Sequence, residues 1–250
     1  IELKPDFTDA YMGRGTAKYY LKDYKGAIAD FNKAIELDPN NADAYNGRGA
    51  AKGDLKDYEG EIDDYNKAIS LDSLLFEAYN NRGNLKRNLK DCTGAIADYN
   101  KAISLNPDFA KAYNGRGAAK GDLKDYEGEI DDYNKAISLD SLFFEAYLNR
   151  GNSKINLKDY KQAIEDFNKA ISLNPQSAMA YNCIGTIKFY LKDYKGAIAD
   201  YNKAISLNPD FANVYNSRAI IKYYLNQEYC TDFKKACSLG ICDAYNKFCK

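Results

Sequence analysis

TDAYMGRGTAKYYLKDYKGAIADFNKAIELDPNN, residues 8–41, decides the fold, because residues 42–75 repeat its pattern as ADAYNGRGAAKGDLKDYEGEIDDYNKAISLDSLL. Tyrosine returns as Tyr11, Tyr45, Tyr79, Tyr113, Tyr147, Tyr181 and Tyr215, each step 34 residues. The five prolines, Pro5, Pro39, Pro107, Pro175 and Pro209, keep one phase of that period. A fixed period of this length marks one supersecondary unit copied along the chain. Function is then expected on an extended surface, not in one catalytic pocket.

Each copy holds two stretches of helical pattern. In the first, Ala10, Tyr11, Arg14, Gly15 and Lys18 recur at helical spacing. In the second, Ala27, Ile28, Phe31, Ala34 and Ile35 make an amphipathic stripe. Asp23, Asp57, Asp91, Asp125, Asp159 and Asp193 stand where an N-cap would accept the free N–H groups of the second helix. Pro39 ends that helix by biasing Asp38 away from helical geometry. Glycine inside a helix costs about 1 kcal/mol relative to alanine. Its return at Gly15, Gly49, Gly83, Gly117, Gly151 and Gly185 therefore predicts close approach of the paired helix. One helix pair buries too little alone, so neighbouring pairs must stack.

The pattern resembles the tetratricopeptide repeat family over nearly the whole chain. The residues that carry the likeness in the first copy are Tyr11, Gly15, Ala27, Phe31, Ala34 and Pro39. The resemblance implies an all-α protein, an α-solenoid: a right-handed superhelix of stacked helix-turn-helix units with a C-terminal capping helix. The expected units are 8–41, 42–75, 76–109, 110–143, 144–177 and 178–211, an atypical seventh at 212–240, and a capping helix at 241–250. Ile1 to Pro5 matches Ile35 to Pro39 in all but one residue, so residues 1–7 are expected to be the tail of a preceding unit. A removed signal peptide and further upstream repeats are both compatible with that start.

Three departures from the family pattern carry information. Lysine fills one first-helix position in every copy (Lys18, Lys52, Lys86, Lys120, Lys154, Lys188, Lys222), and arginine another (Arg14, Arg48, Arg82, Arg116, Arg150, Arg218), with Ile184 the exception. Facing Asp30, Asp64, Asp98, Asp132, Asp166 and Asp200, these form either a structural charge ladder with solvated lysines or a basic track for an acidic ligand. Glu61 and Glu129 replace a small alanine at a close helix contact and are expected to need a cation, Lys52 or Lys120. They share one origin, since residues 44–74 and 112–142 are identical. The last unit is the third departure: Ala219 replaces the glycine, and Gly240 reads as a helix stop.

Four of the six cysteines lie at the end, Cys230, Cys237, Cys242 and Cys249. In an antiparallel hairpin Cys230 faces Cys249 and Cys237 faces Cys242, so two nested disulfides could staple the cap. Reduced packing cysteines and a four-cysteine zinc site are the alternatives, zinc disfavoured because its ligand pairs usually lie two to four residues apart. The segment also resembles the C-terminal caps of some bacterial repeat proteins. Disulfides would place the protein in an exported or periplasmic compartment, reduced thiols in the cytoplasm. Cys92 and Cys183 read as packing variants.

Lysine plus arginine is 35 against 36 acidic residues, which argues against nucleic acid as the main partner. No apolar run approaches the ~18 residues of a membrane span. Histidine is absent, so the commonest general base and metal ligand is missing. No cofactor or enzymatic activity is expected. By the resemblance, first helices line a concave groove that binds peptides or partner proteins. The expected groove residues are Tyr19, Tyr20, Asn46, Asn80, Asn84, Arg87, Asn114, Asn152, Phe189, Tyr190 and Tyr223. Asparagine both donates and accepts and suits a peptide backbone, and exposed aromatics supply anchoring area. The tyrosines could instead pack between units. The family's carboxylate clamp is not expected, because only Lys111 fits its cation positions. The predicted function is a non-catalytic protein-interaction scaffold. The alternative is a structural spacer or a solenoid that associates end to end within a larger chain.

Overall fold

The computed structural model describes residues 7–249. Residues 1–6 of the expected leading tail and Lys250 of the expected cap lie outside the described residues. Fifteen helices and no strand occur among the described residues. They are α1 (Thr8–Tyr20), α2 (Tyr24–Leu37), α3 (Ala42–Asp54), α4 (Tyr58–Leu71), α5 (Phe76–Asn88), α6 (Cys92–Leu105), α7 (Ala110–Asp122), α8 (Tyr126–Leu139), α9 (Phe144–Asn156), α10 (Tyr160–Leu173), α11 (Ala178–Tyr190), α12 (Tyr194–Leu207), α13 (Ala212–Tyr224), α14 (Cys230–Ser238) and α15 (Asp243–Phe248). Two compact units divide them, Ile1–Leu139 with α1–α8 and Asp140–Lys250 with α9–α15.

Two turns alternate along the chain. The tight turn within a pair ends the first helix on a left-handed residue, Lys22 at φ +62°. Lys22 N–H donates to Tyr19 O and Asp23 N–H to Lys18 O, both at 2.9 Å, which satisfies two carbonyls left free at the helix end. Asp23 then caps the next helix, accepting from Gly26 N at 3.0 Å. The turn between pairs closes on an Asx bond, Asn40 N to Asp38 Oδ1 at 3.0 Å. Where Ser73 replaces proline the same bond persists, Leu74 N to Asp72 Oδ1 at 2.8 Å. Elsewhere asparagine takes the same place, as Asn106 accepting from Asp108 N at 3.1 Å, so the side-chain oxygen of aspartate or asparagine, not the proline ring, is the common element of this turn.

Within a pair the helices meet across glycine and aromatic. A Cβ on Gly83 would lie 2.9 Å from the Tyr99 ring, so the ring occupies the place of a side chain there. Tyr99 is fully buried. In the first unit α2 packs on α3, α4 on α5 and α6 on α7, and the first helices also touch in series, α1 with α3, α3 with α5, α5 with α7. In the second unit Ala197, Tyr201, Ala204, Val214 and Ile221 form one cluster that joins α12 to α13. Each unit is thus a stack of helix pairs, the α-solenoid arrangement of an all-α chain.

Candidate functional site

The repeat-position arginines and lysines of the first helices are spent on structure. Arg48 and Lys52 both reach Asp64, at 2.6 and 2.8 Å; Arg82 and Lys86 both reach Asp98, at 2.6 and 2.7 Å. The aspartates are almost wholly buried. The lysines are therefore not merely solvated, as the sequence suggested: a carboxylate sunk in the stack takes two cations to offset its lost hydration. The guanidiniums of Arg48, Arg82, Arg116 and Arg218 also bridge to the preceding pair, as Arg48 to Asn32 at 2.7 Å and Arg116 to Asn100 at 2.7 Å. Each lies over a repeat tyrosine as well, Arg48 at 5.2 Å from the Tyr45 ring centre. The geometry supports the ladder and leaves no free basic track at these positions. Burial pushes the Asp30 carboxyl up, but hydrogen bonds and charge from Arg14 and Lys18 outweigh it, and the net shift is downward.

In the first unit the expected groove residues divide sharply. Tyr20 is 77% exposed at the end of α1, and Asn84 on α5 is open to solvent. Asn80 is only 5% exposed, which corrects its assignment to a ligand surface: it sits on the side of α5 turned into the stack. Asn46 accepts from Asn81 at 3.1 Å, and Asn84 accepts from the Tyr99 hydroxyl at 2.7 Å. Asn114 is partly buried on α7. Arg87 is held by Asp122, Nε to Oδ2 at 2.7 Å, so its charge is already partnered. Two cavities open here. One of about 270 Å³ is lined by Met12, Tyr19, Tyr20 and Asn46 among others. The other, about 310 Å³, is lined by Tyr19, Asp54, Tyr58, Glu61, Tyr65 and asparagines of α5.

Glu61 behaves differently from expectation. Lys52 turns to Asp64 and to the Gly60 carbonyl, and no cation lies among the residues lining the Glu61 cavity. The carboxyl fits because position 53 is glycine: a Cβ there would stand 2.5 Å from it. Burial, followed by the charges of Asp54 and Asp57, pushes Glu61 up to about 7 against a hydrogen bond from Tyr65. Glu129 rises to about 7 for the same leading reason. A buried carboxyl without a cation takes its proton instead. Asp54, Tyr58 and Tyr65, which line this cavity, were not among the groove residues expected from the sequence. The only local signal was glutamate in place of a small residue at a close helix contact.

In the second unit Asn152 accepts a weak bond from the buried Cys183 thiol, Sγ to Oδ1 at 3.5 Å. Burial pushes that thiol up to about 11, away from reactive thiolate chemistry. Tyr190 is 56% exposed and stacks on Tyr160, with centroids 6.0 Å apart, and Phe189 lies partly buried beside it. Tyr223 contacts Phe248 of α15 at 5.2 Å between ring centres, so one of its faces belongs to the cap. Cys230 is bonded to Cys249 and Cys237 to Cys242, with Cα atoms 5.7 and 4.0 Å apart. The four sulfurs are thus paired with each other and are not available to zinc. No helix among the described residues is long and apolar enough to cross a membrane.

Family models described as "TPR repeat" match residues 15–56 and 83–124, and models described as "Tetratricopeptide repeat" match 42–73, 110–141, 144–177 and 178–211. Among solved structures, MamA is 28% identical, with 68% of this chain and 93% of that one aligned and a TM-score of 0.55. A tetratricopeptide repeat protein from Parabacteroides merdae is 22% identical over 96% of both chains, with a TM-score of 0.71. YrrB is 22% identical over 75% of this chain and 97% of its own, with a TM-score of 0.58. No curated protein matches the sequence. The fold is typically a non-catalytic interaction scaffold, and proteins built on it bind proteins or peptides. The repeats matched over most of its length and the stacked helix pairs together establish that this chain belongs to the tetratricopeptide repeat family.

Proposed function

We propose that the protein is a non-catalytic scaffold that binds a peptide or an extended segment of a partner protein along its first-helix face. The observation that carries this reading is the set of large aromatics left exposed at the ends of first helices: Tyr20 at 77%, Tyr190 at 56% and Tyr224 at 62%. Rigid aromatics with little solvent cover are the residues that dominate binding energy when a partner buries them. Asn84 on α5 and Asn152 on α9 are exposed on other first helices, and their amides suit a peptide backbone. YrrB, described as a TPR protein with an unusual peptide-binding site, shares the fold.

A peptide library selected on the purified chain tests the reading. Selected peptides should lose about tenfold or more in affinity on Tyr20→Ala or Tyr190→Ala, the loss expected when an aromatic anchor is truncated. A library that yields no binder sensitive to either change would leave the spacer role as the better account.

A further inference from the structure

The duplicated block contains its own control experiment. Residues 44–74 and 112–142 are identical, so Asp54, Tyr58, Glu61 and Tyr65 recur as Asp122, Tyr126, Glu129 and Tyr133. The residue that reaches this group from the preceding first helix is not copied: it is Tyr19 in one case and Arg87 in the other. Arg87 places its guanidinium on Asp122 at 2.7 Å. At the first site the equivalent partner of Asp54 is the neutral Tyr19 hydroxyl, joined by that of Tyr24. The first site therefore keeps the carboxylates and lacks the cation. It also keeps an open cavity of about 310 Å³, walled by Tyr19, Tyr58 and Tyr65, with Asn88 at its edge and no basic residue in its lining. Glu61, 9% exposed, also lines this cavity and takes a hydrogen bond from the Tyr65 hydroxyl.

We propose that this cavity receives the guanidinium of an arginine from a bound partner segment, with Asp54 as counter-ion and the Tyr19 and Tyr58 rings as its walls. A guanidinium fits on three grounds. It is planar, it presents several donors in a fixed fork, and it stacks on aromatic faces while pairing a carboxylate. Asp54 and Tyr58 are exposed and meet the incoming charge first, and Glu61 lies behind them. Neutral hydroxyls on Asp54 leave acceptor positions free, because a carboxylate offers about four. The volume falls in the range of ordinary ligand pockets, about 300–1,000 Å³. The inference rests on the first-helix face being a peptide-binding surface, and it names what one position of that surface selects.

The test is a chemical-shift titration of the whole chain with three short amidated peptides that differ in one central residue: arginine, its uncharged isostere citrulline, or glutamate. The arginine peptide should shift the amides around Gly53, Asp54 and Asn88, and citrulline should bind about three- to fivefold more weakly, the worth of one exposed ion pair. Tyr19→Arg should seat an internal guanidinium on Asp54, as Arg87 sits on Asp122. It should weaken the arginine peptide by a similar factor without lowering the melting temperature. Equal binding of arginine and citrulline, or full binding to Tyr19→Arg, overturns the proposal. Shifts confined to the Tyr190 region overturn it while leaving the peptide-scaffold reading intact. No shift on any first helix with any of the three peptides removes both.

Discussion

Arg82 and Asp98 are joined twice, Nε to Oδ2 at 2.9 Å and Nη2 to Oδ1 at 2.6 Å. The remaining arm of the guanidinium, Nη1, donates to Asn66 of the preceding pair at 2.8 Å. One side chain thus closes its own helix pair and ties it to the one before. Arg82→Met leaves Asp98 buried with Lys86 alone, and removing one partner of a buried pair costs about 3 kcal/mol. Chemical denaturation of the variant should show that loss. A change within about 0.5 kcal/mol of wild type, the size of an ordinary surface substitution, would show that the guanidinium is not structural.

Glu61 and Glu129 impose a pH dependence of known sign. Their folded value of about 7 lies above the ordinary 4.5, so between those values the folded chain holds protons that the unfolded chain has released. Their contribution is complete below about 4.5 and is lost as pH rises toward 7. The double change Glu61→Gln and Glu129→Gln should raise the melting temperature at pH 8 and make little difference at pH 4. Melting curves across that range check it, and an equal gap at both ends would refute the buried, proton-holding state.

Asp30 and Asp232 titrate in the opposite sense. Burial raises both, but the hydrogen bonds and charges of Arg14 with Lys18, and of Arg218 with Lys222, bring each below the ordinary 3.8. The stability they supply is present above that value and is lost as pH falls through the lower folded values. Acid unfolding should therefore begin below about pH 4, and Asp232→Asn should reduce the acid dependence of the α13–α14 region in amide exchange.

Lys90 holds φ at +69° in the turn between α5 and α6, a conformation that costs a side-chain-bearing residue about 1 kcal/mol. Lys90→Gly removes that cost, partly offset by the greater freedom of glycine in the unfolded chain, and should stabilise by about 0.5 kcal/mol. A lowered midpoint in denaturant would mean that the lysine side chain contributes something its turn geometry does not reveal.

The two disulfides bind the cap to the last pair. Phe248 of α15 stacks on Phe233 of α14 at 6.0 Å, so the bridges hold an aromatic lid over the end of the core. Reduction should cost about 3 kcal/mol for the bridge spanning 19 residues and less for the one spanning five. Hydrogen exchange should rise in α13–α15 and stay unchanged in α1–α8. Six free thiols in the native protein by mass spectrometry would contradict the pairing.

Much of this was legible along the chain. The helix starts at Tyr24 and Tyr58 follow from Asp23 and Asp57, because a cap acts on a donor only three residues away. The glycine at 83 and the tyrosine at 99 each recur at the repeat period, on the first and second helices, and they meet in the fold. The lysine turns were not legible, since nothing in lysine announces a left-handed residue. Asn80 and Asn84 looked alike in sequence, yet one is buried and the other faces solvent. Residues four apart lie on nearly one helix face, so helical spacing does not separate them, and only the packing of the neighbouring helices does.

By itself the sequence determined the unit, its two helices, its caps, its close seam of glycine and aromatic, and the family that these define. Each of those is a pattern within one unit, repeated until it is unmistakable. Only the tertiary structure decided which charges meet. Arg82 and Lys86 converge on one carboxylate, Glu61 lodges against Gly53 without a cation, and Asp54 receives a tyrosine where Asp122 receives an arginine. Those partners come from different helices. The first two pairings fall within one unit and the third joins successive units, but each depends on how closely the helices pack, which spacing along the chain does not fix.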